Sequence, residues 1–265
     1  MPKPANLPAL WRQSWRAALS GVLLLVLAAC AGTGGGFIGQ SSKERQQGAN
    51  THVQLAQEYL KRGRLDAARD GLKRALELDP YSPDAHTVSG VLHETIGDLV
   101  QADLHYRRAV ELRASDGNMN NNYASFLCRQ GRFEEAERFF QRAIVDPYYK
   151  TPEVALANAG VCAMSSGEFE KAESYLRRAL DRRPDYVDAL MPMAETLFRR
   201  GDFLRARAFL QRYESAQPES PEMLVLGAKI EDALGDRRAA EEYRQRLQSS
   251  FPRFQDSRGQ PGSEG

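Results

Sequence analysis

The 265-residue chain is poor in cysteine, with three, and in histidine, with four. Three cysteines cannot staple a disulfide-dense scaffold, and their spacing fits no zinc pattern. Charge of either sign is not in excess: 36 Lys and Arg stand against 35 Asp and Glu, which gives no electrostatic case for binding nucleic acid, and none is expected as a partner. No apolar run reaches the ~20 residues of a membrane-crossing helix. Nucleophile and phosphate motifs such as G-x-S-x-G or a P-loop are absent as well. No enzyme, cofactor, metal or small-molecule substrate is expected. What remains, at 42% hydrophobic residues, is the composition of an ordinary globular fold.

The first 30 residues stand apart from that fold. Lys3, Arg12 and Arg16 precede, without an acid, the uncharged run from Ala17 to Ala29. As a helix that run reaches about 20 Å, short of a ~30 Å hydrocarbon core. A basic start, a short apolar run and small residues at a boundary describe a secretory signal. Its end, Leu27-Ala28-Ala29-Cys30, resembles the bacterial lipoprotein signal, the alternative being an ordinary cleaved signal with an incidental cysteine. The resemblance implies that Cys30 becomes the first residue and carries acyl chains, several of which give stable anchoring where one does not. Ala31, where an Asp would mark retention, implies the outer membrane of a Gram-negative bacterium, on its periplasmic face. Residues 31–48, rich in Gly, Ser and Gln, read as a flexible tether. Without Lys3, Arg12 and Arg16 the chain holds 33 basic and 35 acidic residues, a net charge of −2.

A repeat organises the rest. Gly63, Gly97, Gly131, Gly167, Gly201 and Gly235 lie 34, 34, 36, 34 and 34 residues apart. Five residues beyond each glycine stands an Ala (Ala68, Ala102, Ala136, Ala172, Ala206, Ala240). Seven before it stands a small residue (Ala56, Gly90, Ala124, Gly160, Ala194, Ala228). Bulkier residues (Leu72, Tyr106, Phe140, Leu176, Leu210) follow at nine, with Arg244 departing in the last copy. The spacing predicts helix, tight turn, helix in each copy. Gly supplies the left-handed residue that ends the first helix, small residues let the pair approach, and a Pro such as Pro80 or Pro184 ends the second. Pro192, inside a first helix, predicts a kink or a late start.

This pattern resembles the tetratricopeptide repeat and implies an all-α, right-handed superhelix of six repeats. They span 49–82, 83–116, 117–150, 153–186, 187–220 and 221–254, with Thr151-Pro152 inserted after the third and a disordered tail over 255–265. Cys128 and Cys162 fall on the first helices of repeats three and four, two residues out of phase, which is about 200° of helix rotation. A disulfide is the reading that an oxidising compartment favours; two buried thiols are the alternative. His52 and His86 share one early position and His93 a later packing one, which suits half-buried fillers. First helices line the concave face of such stacks. There the candidate partner-binding residues are Val53, Leu60, Asn118, Asn121, Asn122, Ser125, Arg129, Val161, Met191 and Phe198, with inter-repeat packing as the alternative for each.

Two stretches are more specific: Asn120-Asn121-Asn122-Tyr123-Ala124-Ser125-Phe126-Leu127-Cys128, followed by Gln130-Gly131-Arg132-Phe133, and Thr151-Pro152-Glu153 leading to Asn158-Ala159-Gly160-Val161-Cys162. With the lipoprotein start they are similar to the type IV pilus biogenesis and stability family, the PilF/PilW pilotins, whose paired cysteines and interrupted third-to-fourth junction they also match. That resemblance implies a lipid-anchored pilotin that binds the PilQ-like pilus secretin and promotes its outer-membrane localisation and multimerisation. The competing reading is a tetratricopeptide lipoprotein serving another envelope machine, for peptidoglycan synthase activation or outer-membrane protein insertion.

Overall fold

The computed structural model describes residues 34–254, with side chains from residue 41 onward. The signal peptide, the Cys30 anchor and the tail after residue 254 lie outside the described residues. Those described form twelve α-helices and no strand, and none of these helices is long and apolar enough to cross a membrane. In chain order they are α1 Gly34–Lys61, α2 Leu65–Leu78, α3 Pro83–Thr95, α4 Leu99–Leu112, α5 Gly117–Arg129, α6 Phe133–Val145, α7 Pro152–Ser165, α8 Phe169–Arg182, α9 Val187–Arg199, α10 Phe203–Ala216, α11 Pro221–Leu234 and α12 Arg237–Ser250.

Each tight turn is built on its glycine. All six have positive φ, from 69° to 81°, a region that costs an L-residue about 1–2 kcal/mol. In every copy the N–H of the next residue reaches the carbonyl five positions earlier, from Arg64 to Tyr59 at 2.9 Å through Asp236 to Glu231 at 2.9 Å. This bond closes the first helix and aims the second back along it. The six alanines beyond the glycines are fully buried, as are Leu72, Tyr106, Phe140, Leu176 and Leu210. Small residue and large filler therefore mesh as the spacing requires.

The chain divides into two compact units, one up to Val88 and one from Ser89. In the first, α1 packs on α2 through Ala49, Val53 and Ala56. The stretch from Gly34 to Gly48, expected as a flexible tether, is helical and continuous with this helix. Its side chains from Ser41 to Gln47 are exposed, so no packing holds them. Once Ala49, Val53 and Ala56 fix a nucleus, each further residue adds one backbone bond, and Lys43 to Gln47 favour helix with no proline to stop them.

In the second unit, α5, α7, α9 and α11 touch in succession and form one layer, while α6, α8, α10 and α12 each pack on the first helix of their own repeat. α4, α6, α8 and α10 also touch the first helix of the next repeat, so the core is continuous from Ala102 to Tyr243. At the two-residue insertion, the Asp146 carboxylate accepts the N–H of Gly117 at 2.8 Å and of Tyr148 at 2.9 Å. Tyr149 lies where a Gly117 Cβ would be, 2.6 Å away, which explains a glycine at the first position of α5. One expectation narrows and one changes. α9 runs from Val187 through Pro192, so of the kink and the late start only the late start is excluded. In the last repeat the filler is Tyr243, not position 244, and it meets Gly227, whose added Cβ would sit 2.6 Å from the ring. Both partners have moved one residue, which preserves the mesh and leaves Arg244 outside to pair with Asp232.

Candidate functional site

The inner layer of the second unit carries two sets of side chains. The first lies on α3, α5 and α7. Arg129 spans from α5 to Glu94 on α3 with two bonds, Nε at 2.6 Å and Nη2 at 2.9 Å. This carboxylate raises the arginine's pKa, and it also accepts from the buried Tyr106 hydroxyl at 3.0 Å. Asn121 is buried and accepts from Asn158 Nδ2 on α7 at 3.0 Å. Asn118 is exposed, whereas Asn122, Ser125 and Val161 are half-buried. Cys128 and Cys162, on the same two helices, are joined as a disulfide with Cα atoms 5.7 Å apart.

Two of the expected contact residues are thereby corrected. Val53 belongs to the core between α1 and α2, because an apolar residue four positions from Ala49 lies on the same buried face. Asn121 is committed to Asn158, since a buried amide left without a partner is costly. Neither is on display. In the first unit, Leu60 is half-buried.

The second set forms a cleft of about 380 Å³ between α9 and α11. Met191, Glu195, Phe198 and Arg199 line it from α9, Glu222, Val225, Leu226 and Lys229 from α11, and Phe254 from beyond the last helix. Met191 and Phe198 rest on the core below, and Phe198 tilts against Phe203 at 5.6 Å. The Arg199 guanidinium lies 3.5 Å from Glu195, a half-exposed pair of small energetic value. Of the expected residues, the structure brings Met191 and Phe198 together here. The α11 wall was missed although its signal was present: Val225 and Lys229 lie one 34-residue period beyond Met191 and Glu195. Phe254 lies past the last repeat and has no periodic signal.

The arrangement suits apolar contact more than chemistry. Among the described residues no group of three His, Cys, Asp or Glu side chains could hold a metal ion. A neutral, apolar floor with polar edges can hold a peptide segment.

Tetratricopeptide-repeat family models match residues 53–118, 101–150 and 163–230. The chain is 30% identical over 184 residues to the type IV pilus assembly protein PilF of Pseudomonas aeruginosa, covering 69% of this chain and 73% of that one. The crystal structure of PilW, described as a widely conserved type IV pilus biogenesis factor, superposes with a TM-score of 0.75 at 33% identity, over 78% of this chain and 95% of that one. The structure of Pseudomonas aeruginosa PilF gives a TM-score of 0.73 at 27% identity, over 80% and 95%.

Proposed function

The chain belongs to the PilF/PilW family of tetratricopeptide type IV pilus biogenesis proteins, and from that membership we propose that it is an outer-membrane pilotin. In this reading acyl chains on Cys30 hold it to the periplasmic face of the outer membrane. Its repeats bind the pilus secretin and promote that protein's localisation and multimerisation. No bond is made or broken; the protein works by holding a partner.

The observation that carries the reading is the 30% identity to PilF over 184 residues, a span that runs over most of both chains. Three further features support it. Leu27-Ala28-Ala29-Cys30 has the small residues a lipoprotein peptidase needs and the thiol that takes the lipid. The disulfide between α5 and α7 suits an oxidising compartment. The inner layer offers an apolar cleft.

A deletion strain tests the whole reading. Secretin should remain monomeric or mislocalised there, surface pili should be absent, and the intact gene should restore both. A Cys30→Ser version should appear in the soluble periplasmic fraction and restore little. Normal secretin multimers in the outer membrane of the deletion strain would refute the proposal. Capture of a peptidoglycan synthase or an outer-membrane insertion machine in place of secretin would favour the scaffold alternative.

A further inference from the structure

After Ser250 the chain leaves the repeat pattern. Phe251 packs at the margin of the core, and the Phe254 N–H donates to the Phe251 carbonyl at 2.9 Å. This turn makes Phe254, half-buried, part of the wall of the α9–α11 cleft. The eleven residues that follow, Gln255 to Gly265, include no aromatic and no aliphatic side chain larger than proline. Phe254 faces Met191, Phe198, Val225 and Leu226 across this cleft.

We propose that this cleft is a recognition site for one aromatic side chain carried on an uncharged peptide segment of the partner, with Phe198 and Phe254 as the walls that select it. The inference rests on the partner-binding reading above and names what that partner presents. Size supports an aromatic anchor, because about 380 Å³ admits a large side chain. Charge supports a neutral one. The lining carries two acids, Glu195 and Glu222, and two bases, Arg199 and Lys229, so a charged anchor gains nothing there and would have to shed water. Buried aromatic anchors flanked by polar groups supply most of the energy of such contacts.

Both Trp residues, Trp11 and Trp15, fall in the signal sequence, so the chain from Ala31 onward contains none. In that chain Phe254→Trp provides a single fluorescent reporter in the cleft. Titration with the purified periplasmic region of the pilus secretin should shift its emission to the blue. Phe254→Ala and Phe198→Glu should each bind that region about tenfold more weakly, with helical content unchanged. If both variants bind as tightly as the parent, the aromatic site is wrong while the pilotin reading survives. If the parent does not bind secretin, the pilotin reading has failed. The site is then judged with the uncharged aromatic dye N-phenyl-1-naphthylamine. Dye fluorescence that the parent raises and both variants lose supports the site, and equal fluorescence in all three overturns it.

Discussion

At Gly160 an added Cβ would lie 2.6 Å from Leu176 Cγ and 3.3 Å from the Ala172 carbonyl oxygen. Helix propensity alone favours Ala over Gly by about 1 kcal/mol, but overpacking a tight core costs about 1–3 kcal/mol. Leu176 is fully buried and has nowhere to go, so crowding wins. Gly160→Ala should lower stability by about 1–2 kcal/mol in urea unfolding. Gly71 is the counter-case, since its added Cβ meets only Ala56 and the His52 carbonyl at 3.5 Å, ordinary contact. Gly71→Ala should therefore raise stability, by about 0.5–1 kcal/mol. A second residue-scale effect is alkaline. Burial, helped by Asp188 for Tyr186 and by Glu214 for Tyr243, pushes both phenols up to about 12. The folded state holds these protons more tightly than the unfolded chain, whose phenols titrate near ~10. Their contribution is whole below that pH and is lost as pH climbs toward 12. The thermal midpoint should fall across this window, and less steeply in Tyr243→Phe.

Between elements, the Cys128–Cys162 bond ties α5 to α7 and closes a sequence separation of 34 residues. In the chain-entropy account a loop of this length stabilises by about 3–4 kcal/mol. Reduction, or Cys162→Ser, should lower the urea midpoint accordingly, and oxidised and reduced curves compared side by side will check it. The helix pairs themselves were legible in the sequence. A turn that demands positive φ forces glycine at one place in every period, and close helices force alanine at another, so the signal repeats six times. What escaped notice has equally physical causes. The helix over Ser41 to Gln47 exposes its side chains, hence shows no periodicity, and extends from the nucleus at Ala49. The shift to Tyr243 involves two compensating changes, and each looks like a defect when read singly. Val53 and Asn121 obey the spacing of inner-layer residues, yet depth on a helix differs within a few tens of degrees, which a repeat phase does not resolve. The α9 wall of the cleft was legible because it keeps the period; Phe254, held by a turn, was not.

Over the whole of the second unit, cohesion passes from one repeat to the next, because each touches only its neighbours. Between repeats four and five the joint has an electrostatic centre. Glu173 of α8 is buried, and it gathers Arg177 from its own helix, Arg200 from the following turn and Arg205 from α10. Removing one member of a buried pair costs about 3–5 kcal/mol, but these guanidiniums are a third to a half exposed, so about 1–3 kcal/mol is the fitting range. Glu173→Gln keeps the shape and leaves three like charges facing an amide. In an array of neighbour contacts the loss should stay local. Hydrogen exchange should speed up in α9 to α12, where the aromatic cleft lies, while α5 to α7, bound by their disulfide, keep their protection. Weaker secretin binding should accompany it, since the cleft walls stand on α9 and α11. Equal acceleration from α5 to α12 would mean that the unit opens all at once, and that the joint at Glu173 does not divide it.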